Sequence, residues 1–115
     1  MDQALEQALD FSNIQHTLYL EKRRLQEKLR RDLELVYAGG RFTVDRNLIV
    51  FLHLFNLDED GSVVILDDNQ IPTVIQDPNN FQKEVQNTYY RAVNAYRVAF
   101  EELKKKRSVK AIVGL

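Results

Sequence analysis

Cysteine is absent from this 115-residue chain, and that lack removes disulfide staples, thiolate zinc sites and cysteine nucleophiles together. It permits a reducing compartment such as the cytoplasm. Long apolar runs are missing too: nowhere do about eighteen apolar residues occur in succession, so no membrane span is expected. The opening stretch from Met1 to Leu9 carries Asp2 and Glu6 with no basic flank or apolar h-region, which argues against an export signal. Nor is there an excess of charge of one sign. The formal net charge is -1, too small for a protein that grips nucleic acid by bulk charge. Internal repeats and low-complexity linkers are also wanting, and a chain of this length holds one domain with a real core rather than two. The expected organisation is a single helical-hairpin domain over 1–115 with an α/β insert at 41–77.

Two long amphipathic patterns dominate the residues that are present. From Asp2 to Ala38, apolar residues fall at Leu5, Leu9, Phe11, Ile14, Leu18, Leu25, Leu29, Leu33 and Val36, mostly three, four or seven apart, which draws one stripe along a helix. Gly39 and Gly40 supply a C-terminal stop. The second pattern opens on Asp77 and Pro78, an N-cap before a proline at the first helical position. Phe81, Val85, Tyr89, Ala92, Tyr96, Phe100 and Leu103 then step by three or four. Antiparallel packing of the two stripes places Val36 near Phe81, Leu25 near Ala92 and Leu18 near Ala99. It also brings the basic end of the second helix near Asp2, Glu6 and Asp10.

Between the helices the period changes. Phe42, Thr43 and Val44 form a short strand candidate, and Asp45 caps a helix from Arg46 to Asn56. Leu48, Ile49, Val50, Phe51, Leu52, Leu54, Phe55 and Leu57 leave that helix almost no polar face, so cover on several sides is expected. Val63 to Leu66, a turn over Asp67, Asp68, Asn69 and Gln70, and Ile71 to Ile75 read as a β-hairpin, with Pro72 confining its strand to an edge. The fold class is α+β: two long antiparallel helices, a short apolar helix and a small antiparallel sheet made of the hairpin and the short strand, at one end.

Each chemical motif has a plainer competitor. Asn56, Asp58, Asp60, Gly61, Val63 and Asp67 match positions one, three, five, six, eight and twelve of a calcium loop. Position twelve is an Asp instead of a bidentate Glu, however, and strand and turn stand where an exiting helix should be, so a polar turn is preferred. Lys104, Lys105, Lys106 and Arg107 are phosphate-binding candidates. Cations at a helix C-terminus are also favoured by the macrodipole. His16 has no partner ligand at helical spacing, and His53 reads as a satisfied imidazole inside the apolar run. The tyrosines Tyr19, Tyr37, Tyr89, Tyr90 and Tyr96 suit core or interface better than base stacking. No catalytic residue, metal site, cofactor or small-molecule substrate is expected.

Charge is unevenly laid out. From Asp58 to Asp77 there are six acidic side chains and no Lys or Arg, whereas Lys104 to Lys110 is basic. That polarity favours oriented docking, head to tail or on a partner. Surplus apolar residues supply the contact candidates: Leu48, Phe51, Leu52 and Phe55 on the short helix, and Ile112 and Val113 in the closing stretch.

Four local features carry a resemblance: the opening Ala4 to Phe11, the corner Gly39, Gly40, Arg41 and Phe42, the turn Leu66, Asp67, Asp68 and Asn69, and the closing Arg107, Ser108, Val109 and Lys110. Together the chain resembles small proteins encoded by large contractile-tailed phages of marine cyanobacteria. The resemblance implies an assembly or accessory role, head-assembly chaperoning among them, in the infected cytoplasm or the virion, and assigns no active residues. The function expected is non-enzymatic protein interaction with self-association. Nucleic-acid binding and calcium binding stand as alternatives.

Overall fold

In a computed structural model of the chain, the residues described are 2–54 and 60–112, with the backbone alone for 108–112. The elements in order are α1 (Gln3–Asp32), β1 (Glu34–Tyr37), β2 (Gly40–Thr43), α2 (Arg46–Leu54), β3 (Val63–Leu66), β4 (Pro72–Ile75) and α3 (Pro78–Ile112). The class is α+β with a helical hairpin. The chain divides into two compact units, one of Met1–Leu29 with Asn94–Leu115 and one of Arg30–Val93.

In the first unit the limbs of α1 and α3 run antiparallel. Leu18 and Leu103 are buried there, and Leu25, Ala99 and Leu103 line one shallow groove. Leu25 thus shares that groove with Ala99 and Leu103. α1 stops at Asp32 and not at Ala38.

That early stop is the main departure from the sequence expectation, and its cause lies in the second unit. Leu33 to Tyr37 abandons the helical period for a period of two. Leu35 and Tyr37 turn towards the core while Glu34 and Val36 point outward, Val36 being 70% exposed. The inward residue beside Phe81 is therefore Tyr37, with ring centroids 4.8 Å apart, and not Val36. β1 pairs antiparallel with β2, Tyr37 opposite Gly40. The link is Ala38 and Gly39, with φ of 51° and 81°. Both central residues in the left-handed region make the kind of turn that suits the twist of a two-residue hairpin. Gly39 is thus a hairpin residue, not a helix stop.

Expected hairpin and strand become two separate two-stranded sheets, β1–β2 and β3–β4. Between them lies the core: Phe42, Val44, Leu52, Val63, Ile65, Ile75, Phe81 and Val85, with Leu33, Leu35, Tyr37, Leu48, Ile49 and Tyr89 packed around it. Phe81 meets Phe42 nearly edge-on at 5.0 Å and has no exposed surface; burial of such a side chain is worth about 1.5–3 kcal/mol. The caps read from the sequence are present. Leu48 N donates to Asp45 Oδ1 at 2.8 Å and Asn80 N to Asp77 Oδ1 at 3.1 Å, each satisfying a first-turn amide.

Candidate functional site

β3 and β4 pair with Val64 opposite Val74 and Leu66 opposite Pro72. The inward set is Val63, Ile65, Thr73 and Ile75, all buried. On an ordinary two-layer sheet the outward set would be polar. Here it is Val64, Leu66, Pro72 and Val74, with Ile71 beside them at the turn. Val64 is 50% exposed, Leu66 55%, Ile71 56% and Val74 48%. The other hairpin comes closer to the ordinary rule, since three of its four outward residues, Glu34, Arg41 and Thr43, are polar and only Val36 is apolar. An apolar outer face is therefore a property of β3–β4 rather than of strands in this chain generally.

The hairpin is held rigidly by its turn. Asp67 Oδ1 accepts from Asn69 N and Ile71 N, each at 2.9 Å, while Oδ2 accepts from Arg41 N at 3.2 Å. Asp68 Oδ1 and Oδ2 accept from Thr43 N at 3.1 Å and Thr43 Oγ1 at 2.7 Å, and Asp68 N donates to Arg41 O at 2.8 Å. The two aspartates so occupy the outer edge of β2, an edge that would otherwise present unpaired backbone groups. The Ile71 N–H above all, opposed by burial and helped by the Arg41 and Asn69 amides, holds the Asp67 carboxyl below the usual carboxylate range. The Ser62 hydroxyl, at 2.6 Å, and then the Ser62 N–H, at 3.0 Å, do the same for Asp60.

Two of the acidic residues in the calcium-loop pattern, Asp60 and Asp67, are thus engaged within the chain. Asp60 accepts with Oδ1 and Asp67 with both carboxylate oxygens, and among the described residues no group of three His, Cys, Asp or Glu is placed to hold a metal. Asn56 and Asp58 lie outside the described residues.

Of the apolar contact candidates, Leu52 is buried in the core and Leu48 is packed against it, so both serve the fold. Phe51 is exposed, and so are Val50 and Leu54, the last at 74%. Cover on several sides is thus not the arrangement around α2: Leu48, Ile49 and Leu52 pack, while Val50, Phe51 and Leu54 are exposed. Phe55 and Val113 lie outside the described residues, and for Ile112 only the helical backbone is described.

Beside α2, a groove of about 310 Å³ is lined by Arg46, Ile49, Val50, His53, Gln86, Tyr89 and Tyr90. His53 is exposed there rather than buried, with Nδ1 3.0 Å from Gln82 Nε2. The groove has aromatic walls and carries His53 and two tyrosines, with no carboxylate in its lining.

Lys104, Lys105, Lys106 and Arg107 are exposed on α3. Lys104 Nζ lies 4.0 Å from Glu101, Lys105 Nζ 3.5 Å from Glu102, and Lys106 Nζ 3.9 Å from Glu21. Among the described residues the basic run meets Glu21, Glu101 and Glu102. Exposed pairs of this kind contribute little stability.

Val64, Leu66, Ile71 and Val74 are exposed apolar residues that periodicity and motif alone do not single out. A signal for them exists nonetheless: Val63 to Leu66 is apolar at every position, whereas a strand covered on one face alternates. No helix among the described residues is long and apolar enough to cross a membrane. No family model, curated protein sequence or solved structure matches this chain.

Proposed function

We propose that this chain is a non-enzymatic protein-interaction protein that works through the outer face of the β3–β4 hairpin and self-associates. One observation carries the reading: Val64 and Val74 face each other across the ladder and both are about half exposed, on a hairpin whose outer positions hold no charged side chain. Leaving such a face in water forgoes roughly 25 cal/mol for every Å² of apolar area that a partner could cover. The open side of α2, with Val50 and Leu54, adds apolar surface on the same unit. The resemblance to cyanophage proteins supports a contact made during particle assembly. Phosphate binding by Lys104 to Arg107, exposed on α3, is the alternative.

Light scattering over a wide concentration range tests the reading. The natural chain is expected to grow in mass with concentration, and Val64→Thr with Val74→Thr is expected to stay monomeric with an unchanged circular dichroism spectrum. A monomer at every concentration in both would refute self-association.

A further inference from the structure

The hairpin face has a chemical counterpart elsewhere in the chain. We infer that the apolar outer face of β3–β4 receives the basic and apolar closing stretch, Lys104–Leu115, of a second copy, in a head-to-tail contact. This rests on the contact-protein reading and adds which two surfaces meet.

Charge is the first argument. Asp60, Asp67, Asp68 and Asp77 flank the face at both ends of the hairpin, and the donors they are bonded to are neutral: Ser62, the Asn69, Ile71, Arg41 and Asn80 amides, and Thr43. Neutral donors hold a carboxylate in place without cancelling its charge, and the lowered pKa of Asp60 and Asp67 keeps both ionised. From Asp58 to Asp77 the sequence offers no Lys or Arg to balance them. The closing stretch is the reverse. After Glu102 there is no acid, and Lys104, Lys105, Lys106, Arg107 and Lys110 precede or interleave with Val109, Ile112, Val113 and Leu115. The carboxylates near the lysines form exposed pairs, which a better-placed partner displaces at small cost.

Area is the second. The four half-exposed outer side chains present on the order of 350 Å² of apolar surface, the size of the largest patch on an ordinary monomer. Two such faces stacked on each other would match apolar area with apolar area and nothing more. Such symmetric stacking would also set aspartates against aspartates. A basic segment laid along the face removes the repulsion and brings apolar area of its own. Because each copy then carries one receptor and one donor, the contact does not use itself up, and it builds rings or open chains.

Two variants test this in the full chain by sedimentation velocity. One carries Val64→Lys with Val74→Lys and has lost the receptor; the other carries Ile112→Asp with Val113→Asp and has lost the donor. The natural chain is expected to associate, roughly tenfold more weakly when salt is raised from about 0.05 M to about 0.5 M. Each variant alone is expected to be monomeric, and an equal mixture is expected to form a one-to-one dimer, since each supplies the surface the other lacks. Because the chain has no cysteine, Val74→Cys and Ile112→Cys copies give a second measurement that needs no disruptive charge. Oxidation should link the mixed pair faster than either copy to itself. A donor variant that associates as well as the natural chain would overturn the inference while leaving self-association through the hairpin standing. Variants that fail to complement each other, or a natural chain that never associates, would overturn it as well.

Discussion

Gly40 and Thr73 touch across the two hairpins so closely that a methyl group on Gly40 would lie 2.7 Å from Thr73 Oγ1 and 3.2 Å from its Cγ2. Thr73 cannot swing away, for its β-branched side chain is buried and its hydroxyl donates to Ile71 O at 3.2 Å. Gly40→Ala is therefore expected to cost about 1–3 kcal/mol by overpacking, read as a lower urea midpoint. Adding Thr73→Ala should recover part of that loss. A double variant no better than Gly40→Ala alone would show that the clash is not with Thr73.

Gly39 has the opposite character, with open space around its Cα and a φ of 81°, so Gly39→Ala is penalised by backbone strain alone. Its neighbour Ala38 already bears such strain at φ 51°. Asn tolerates this region better than Ala. Ala38→Asn is expected to stabilise the protein by about 0.5–1 kcal/mol in denaturant titration, and a loss of stability would contradict the turn assignment.

How much of the fold is legible in the sequence depends on how many periods a segment fits. Asp77–Pro78 and the three-four steps from Phe81 to Leu103 fit only a helix, and α3 begins where the sequence says. The turn between Leu66 and Ile71 is equally plain. Leu29, Leu33 and Val36 fit a helical stripe, yet Leu33, Leu35 and Tyr37 fit a strand, and local pattern cannot choose between them. Tertiary packing does: Tyr37 against Phe81, with its hydroxyl accepting from Asn80 Nδ2 at 2.8 Å, favours the strand. The exposed apolar face of β3–β4 is hidden for a related reason. Apolarity at every position of β3 signals two covered faces, but one chain has a core to cover only the side of Val63 and Ile65.

Phe81 joins the β1–β2 hairpin to α3 in the core, touching Tyr37 and Phe42 with no surface exposed. Phe81→Ala is expected to lose about 3–5 kcal/mol, a large share of the stability of so small a protein. Thermal unfolding monitored at the tyrosines should show a much lower midpoint. A change under about 1 kcal/mol would mean that the site collapses around the deletion.

Asp67 gives stability a pH dependence whose sign is fixed by its partners. Its folded carboxyl titrates below the ordinary 3.8 because backbone amides, that of Ile71 first, favour the charged form. Asp60 is shifted the same way by Ser62. In such a case the unfolded chain takes up protons first as acid is added. The stability these groups contribute is present in full above 3.8 and is lost as pH falls through the lowered folded values. Urea midpoints should therefore be flat between about pH 7 and pH 5 as far as these two groups are concerned, and should drop below about pH 4. Asp67→Asn replaces one acceptor oxygen by an NH₂ that must face either Arg41 N–H or the Asn69 and Ile71 amides, so it should lower the midpoint at neutral pH. It should also flatten the acid limb, since the residue no longer titrates. An Asp67→Asn protein as stable at neutral pH as the natural one, with the same slope on the acid limb, would mean that the Asp67 carboxylate does not hold the turn to β2.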